Sequence, residues 1–333
     1  MTQCFAEAID ATLADSKWFL TLTAATPVRA AARTVLAARA ATVEHYLKRV
    51  GSGPGQDPED VHQLRVATRR MTAGLSVFKS AVAPQLHRRL RRALRRLRRA
   101  AGAVRDLDVQ RLLADEQLRN TDETTPGAAR TVRRALERRC RQARRELCRV
   151  LPRWSNRFRQ AAAELLRSSV ANTPRRPRPR DNLGALGRAV LRERLNQLLA
   201  AGRAELSDLA ALHQLRIAAK RLRYVMEVFA GCYPAGFRGR LYRQVESIQT
   251  ELGHINDLRH FTQTLAELRV EVASRGGSPG RAAGERIVAR ICDERSEELR
   301  RCHDDFISQW TGRLRSDLRR QARRLLGLRR AIM

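Results

Sequence analysis

Residues 61–71 read VHQLRVATRRM and residues 212–222 read LHQLRIAAKRL, so one His-Gln-Leu-Arg segment occurs twice, 151 residues apart. A chance match would stand alone, yet Gly102-Ala-Val-Arg-Asp106-Leu107 also precedes Gly253-His-Ile-Asn-Asp257-Leu258 by 151 residues. Further on, Cys140, Leu147, Trp154 and Phe158 precede Cys292, Leu299, Phe306 and Trp310 by 152 residues, so one inserted residue keeps the copies in register. The chain must therefore fold one unit of about 150 residues twice, and that is an ordinary domain size.

Turn-rich stretches cut the chain at GSGPGQDP (51–58), TDETTPG (121–127) and SRGGSPG (274–280). NTPRRPRPRDN (172–182) cannot be a helix interior and joins the copies. The predicted organisation is an N-terminal segment 1–28, a first repeat 29–170, a linker 171–183, a second repeat 184–312 and a basic helical tail 313–333. The first repeat predicts helices over 29–50, 59–82, 85–119 with a break near Gly102, and 127–168 with a break near Pro152. The second predicts them over 184–203, 207–231, 236–273 with a break near Gly253, and 281–312. No run alternates with period two, so the fold class is all-α, as two tandem antiparallel four-helix bundles.

Sixty-six basic residues against 34 acidic ones leave a formal charge of +32, an excess that points to an acidic polymer or surface as partner. Glu7, Asp10 and Asp15 precede the first lysine, the wrong polarity for a secretory signal, and the uncharged run from Trp18 to Val28 is too short to span a bilayer. The expectation is a soluble, cytoplasmic protein that does not enter membranes. Cys4, Cys140, Cys148, Cys232, Cys292 and Cys302 form no C-x-x-C pair, so reduced and mostly buried thiols are expected, with no metal and no cofactor.

On the first motif helix Arg65 and Arg69 fall within about 60° of His62, while Leu64, Ala67, Met71, Leu75 and Phe78 gather opposite. The second copy sets His213, Arg216, Lys220 and Arg223 in front of Leu215, Ala218, Leu222, Met226 and Phe229. Core packing explains the apolar backs. It does not explain two cationic fronts that both open with histidine. Downstream, RRLRRALRRLRR (88–99) holds eight arginines and no acid over an apolar stripe of Leu90, Leu94, Leu97 and Ala101. Its charges repel at i+3 and i+4, so an anion should compensate them, with Asp106 and Asp108 offsetting only a little.

These residues resemble a known family. The two H-x-L-R-[VI]-A-x-[RK]-R segments, each followed by a leucine-bearing helix and a G-x-x-x-D-L element, are similar to the CHAD domain, over roughly residues 29–312. The resemblance implies two four-helix bundles related by an internal pseudo-twofold axis, with basic side chains lining the space between them. It also implies binding of inorganic polyphosphate and association with polyphosphate granules, as in phosins. By position, the motif residues are His62, Arg65, Arg69 and Arg70, and His213, Arg216, Lys220, Arg221 and Arg223. Arginine is usual in the family where this chain has Thr72 and Ser76, and Arg92, Arg95 and Arg99 of the arginine run are taken to restore that charge.

Polyphosphate has no bases to stack on, so a rigid arginine-lined channel with few aromatics suits it, and two facing copies would make one continuous channel. Non-specific nucleic-acid binding is the alternative, although Tyr224 is the one aromatic near the cationic fronts. An enzyme acting on phosphoanhydrides is the third reading. The sequence has no G-x-x-x-x-G-K-[ST] loop, no compact acidic cluster for Mg²⁺ and no E-x-E-x-K barrel signature, so a binding protein without catalysis is expected.

Overall fold

The computed structural model describes residues 17–52, 57–119, 126–171, 181–273 and 279–327. Cys4, the three turn-rich stretches, the Pro/Arg-rich linker and the end of the tail lie wholly or partly outside these residues. In chain order the α-helices are α1 (Val28–Ser52), α2 (Pro58–Val77), α3 (Pro84–Arg119), α4 (Pro126–Ala171), α5 (Leu183–Ala201), α6 (Leu209–Val228), α7 (Arg243–Ala273), α8 (Pro279–Gln309) and α9 (Arg315–Leu326). No strand occurs among the described residues, and the all-α expectation holds.

The two motif helices start alike. Asp57 accepts from the backbone N–H of Glu59 at 2.9 Å to cap α2, and Asp208 accepts from that of Ala210 at 2.8 Å to cap α6. Each carboxylate satisfies an N–H that the helix leaves unpaired and faces the positive end of the helix dipole. The caps stand 151 residues apart, so the duplication extends to where the helices begin.

The expected breaks do not occur: α3 runs through Gly102, α4 through Pro152 and α7 through Gly253. A glycine weakens a helix by only about 1 kcal/mol, and tertiary packing outweighs that. Pro152 sits between Leu147, Leu151, Trp154 and Phe158, whose burial holds the helix together across the lost hydrogen bond. The long hairpins α3–α4 and α7–α8 therefore reach beyond the short hairpins α1–α2 and α5–α6. Their far ends meet in a second apolar cluster, with Val132, Ala135 and Leu136 against Phe261, Leu265 and Ile291. The main core runs continuously through both halves.

Two segments outside the repeats are also packed. From Lys17 to Val28 the chain lies against the second half: Phe19 is fully buried, and Trp18 meets the Tyr242 ring edge-on at 4.5 Å. Gly231 has no room for a side chain there, since a Cβ would stand 2.4 Å from the carbonyl oxygen of Leu22. At the other end, a π-helical turn at Trp310–Leu314 joins α8 to α9. The basic tail is thus a docked helix, with Leu318, Ala322 and Leu326 buried. The thiols depart from expectation: of the five described cysteines, all free, Cys140 alone is buried, Cys148 is exposed and the rest are half-buried. Aliphatic side chains fill the core without them.

Where α2 crosses α6, Glu227 is fully buried and gathers charge from both halves. It takes Arg70 Nε at 2.9 Å and the Tyr242 hydroxyl at 3.2 Å, with Arg39 Nη2 3.6 Å away. Burial, reinforced by the Glu227 charge, raises the Tyr242 pKa, which keeps the phenol a donor. Removing one partner of a buried charge network leaves the others uncompensated. Glu227→Ala should accordingly destabilise the fold by about 3–5 kcal/mol, read as a lower urea midpoint at unchanged slope.

Candidate functional site

The cationic fronts of α2 and α6 face one another across a cavity of about 440 Å³. Helix α2 contributes His62, Arg65 and Arg69; α6 contributes Arg216, Lys220, Arg223 and Tyr224. The remaining walls are α3, through Arg105, Asp106 and Gln110, and α7, through Gln249, His254, Asp257 and His260. Gly253 leaves open space where a side chain would stand, and it lines the cavity.

The two repeated motifs prove to be partners. Arg65 Nη1 donates to Asp106 Oδ1 at 2.8 Å and to the Gly102 carbonyl at 3.3 Å, while Arg216 Nη2 lies 3.9 Å from Asp257 Oδ1. Each motif arginine is thus held by the aspartate of the G-x-x-x-D element in its own half. Among the described residues, Asp106 and Asp257 are the only carboxylates lining the cavity, against six arginine and lysine side chains. Asp108 does not compensate the arginine run as the sequence suggested. It is buried and paired with Arg144 of α4 at 3.0 Å.

Partial burial and neighbouring positive charge disfavour the charged forms of Lys220, Arg216, His62 and His260. Burial first, then Arg69, Arg216 and Arg65, bring Lys220 down to about 6, with Asp257 opposing. Burial also lowers Arg216 and Arg98, and the same positive neighbours add to it. His62 falls below its usual value through burial and then Arg105, and His260 through burial and then Arg259.

Of the residues read from sequence, His62, Arg65, Arg69, Arg216, Lys220 and Arg223 meet at this cavity. Arg223 is also paired with Glu246 at 3.0 Å. The others lie elsewhere. Arg70 turns away to Glu227, because it sits one residue round the helix from Arg69. His213 reaches Asn256, Nδ1 to Oδ1 at 3.2 Å, in a neighbouring hollow. Arg221 and Arg99 are exposed and line neither this cavity nor the larger one on α3. Arg92 and Arg95 line a separate cavity on α3.

Sequence reasoning missed Arg98, Arg105, His254 and His260. The repeat held a signal for Arg105, which stands 151 residues before Asn256, so the first-half histidine meets a guanidinium where the second meets an amide. As potential metal ligands, His254, Glu298 and Cys302 bring nitrogen, oxygen and sulfur atoms within 4.8 Å of one another beside the cavity. Glu298 is already paired with Arg295.

Among solved structures, the fold matches that of the CHAD domain from the plant Ricinus communis, with a TM-score of 0.61 and 22% identity over 93% of this chain and 95% of that one. It also matches PptA from Streptomyces chartreusis, with a TM-score of 0.59 and 18% identity over 84% of this chain and 99% of that one. No curated protein matches the sequence. The CHAD domain family model covers residues 31–266, which takes in both motif helices and all the walls of the cavity, and the chain belongs to the CHAD domain family.

Proposed function

We propose that this protein binds inorganic polyphosphate, with the cavity between α2 and α6 as the principal site, and that it associates with polyphosphate granules. One observation carries the reading: Arg65 and Arg69 from one half line one cavity with Arg216 and Lys220 from the other, close enough that the first pair opposes the ionisation of the second, with two aspartates as the only acids among the described lining residues. Charges held together at such a cost are stabilised by a ligand that is itself densely charged. Polyphosphate carries tetrahedral oxyanions in a line, matches arginine forks and needs no aromatic platform. The family resemblance implies the same ligand. Asp106 and Asp257 act here as positioning groups that fix Arg65 and Arg216 until phosphate oxygens arrive. We read the role as binding without turnover: both aspartates of the cavity are engaged by arginines, which leaves them to position cations.

An isotherm for long-chain polyphosphate beside duplex DNA of matched charge tests the reading. Polyphosphate should bind more tightly, with log K falling against log salt at a slope that reports about six or more phosphate contacts. Equal affinity for DNA would leave a non-specific polyanion binder instead. Neutralising Arg65 and Arg69 to Gln, or Arg216 and Lys220 to Gln, should each weaken binding by several kcal/mol at unchanged stoichiometry, since charge-assisted hydrogen bonds contribute about 1.5–3 kcal/mol apiece. Halved stoichiometry with retained affinity would mean two independent sites.

Protonation follows from the depressed groups. An arriving polyanion raises the pKa of Lys220 and of His62, so binding takes up protons and affinity falls as pH rises from 6 to 8. Calorimetry in buffers of different ionisation enthalpy should show that uptake, and proton release would contradict it.

Lys220 also links function to stability. Its pKa is about 6 when folded and 10.5 when free, so at intermediate pH the unfolded chain binds the extra proton and folding is penalised. Lys220→Met should therefore raise stability by about 2 kcal/mol or more at pH 7, by a margin that shrinks towards pH 10, while polyphosphate affinity drops.

A further inference from the structure

The halves cross twice, and the crossings differ. At one, the nineteenth residue of α6 is Glu227, approached by Arg39, the twelfth residue of α1. At the other, the nineteenth residue of α2 is Ser76, approached by Arg194, the twelfth residue of α5. Arg194 Nη2 donates to Ser76 Oγ at 3.1 Å and Nη1 to Gln197 at 2.8 Å, with Glu193 3.9 Å away, but its buried Nε has no partner. A hydroxyl cannot balance a guanidinium as a carboxylate does.

The exchange extends to the next helix. Tyr242 and Glu246 of the second half correspond, 151 residues earlier, to Arg91 and Arg95. In the second half this corner is neutralised and covered: Lys17 lies 3.8 Å from Glu246 and over the Tyr242 ring at 4.9 Å, with Trp18 beside it. In the first half the same corner is open. A cavity of about 840 Å³ lies there, walled by Thr72, Lys79, Arg91, Arg95 and Arg98, with no carboxylate among the described residues that line it. Ser76 stands four residues after Thr72 and three before Lys79, both of which line this cavity. The first turn of α3, at Pro84 and Gln85, also lines it and adds the positive end of a helix dipole.

We infer that this lateral cavity is a second binding site for a phosphoryl oxyanion, which takes the place that the Glu227 carboxylate holds at the other crossing. Arg91 and Arg95 supply the forks, Lys79 a further charge, and Ser76 marks where an internal acid would otherwise sit. The inference deepens the polyphosphate reading and rests on it for the ligand. Arg98, whose ionisation is opposed by Arg69 and Arg65 on one side and by Arg91 and Arg95 on the other, lies between the central cavity and this one. One strand leaving the first could enter the second. A separate short oligophosphate offers the same chemistry, and chain length separates the two sources.

The test restores the missing acid. Ser76→Glu supplies an internal carboxylate, and Ser76→Gln adds the same bulk without charge. With tripolyphosphate as probe, the Glu variant should lose one bound equivalent that the Gln variant keeps. With long-chain polyphosphate, the Glu variant should bind about tenfold more weakly, with a salt slope shallower by about two, if one strand spans both cavities. Weakening for tripolyphosphate alone assigns the site to separate short chains. Arg91→Gln with Arg95→Gln, at exposed positions whose replacement leaves the core untouched, should reproduce the loss. Wild-type behaviour of the Glu variant, or equal loss in both Ser76 variants, overturns the inference while the central site stands. Should the tripolyphosphate equivalent prove sensitive to Ser76→Glu but long chains bind no better than DNA, the lateral site survives and the polyphosphate reading falls.

Discussion

The arrangement depends on one buried carboxylate. In a chain of net charge +32, a crossing between two arginine-bearing helices is where like charges would force the halves apart. Glu227 stands at that crossing with no solvent exposure and takes Arg39 from α1 and Arg70 from α2. The Tyr242 hydroxyl satisfies its other oxygen. With these charges matched, the motif helices approach closely enough for Arg65, Arg69, Arg216 and Lys220 to share one cavity.

The cavity is the converse case. Its cations outnumber its acids, and Lys220 meets that imbalance by giving up its proton near pH 6. Arg65 is steadied by Asp106 at 2.8 Å, but the Asp257 carboxylate is 3.9 Å from Arg216, and the Nε of Arg216 is buried without a partner. An anion has most to offer on that side. The site is therefore already shaped, and its ligand supplies charge more than it supplies order.

Much of this was legible in the sequence because duplication marks geometry. The equal spacing of the two motifs placed His62, Arg65 and Arg69 beside Arg216 and Lys220, and the G-x-x-x-D elements proved to carry the aspartates that hold Arg65 and Arg216. Periodicity located the helices but misjudged Gly102, Pro152 and Gly253, since local propensity does not register a core that continues past them. Motif membership also overreached. Arg70 and Arg221 share the motif with the cavity residues but point elsewhere, since a helix turns by about 100° per residue and adjacent positions face apart. Arg98 was hidden among seven similar neighbours, and only its half-burial between the two cavities distinguishes it.

The strap from Lys17 to Val28 has a consequence for how the chain is made. Phe19 and Trp18 emerge from the ribosome early, yet their seat is built from Tyr242 and Gly231, and the Leu22 carbonyl takes the Cys232 thiol from 210 residues further on. Val28 and Leu183 are likewise tied by backbone hydrogen bonds across the join, to Asp181 and Thr26. Within the first half the strap meets α1 through Arg39, which donates to the Lys17 carbonyl and lies over the Phe19 ring. The remaining contacts of the strap exist only once the second half is in place, so the second half, in closing, fastens the first.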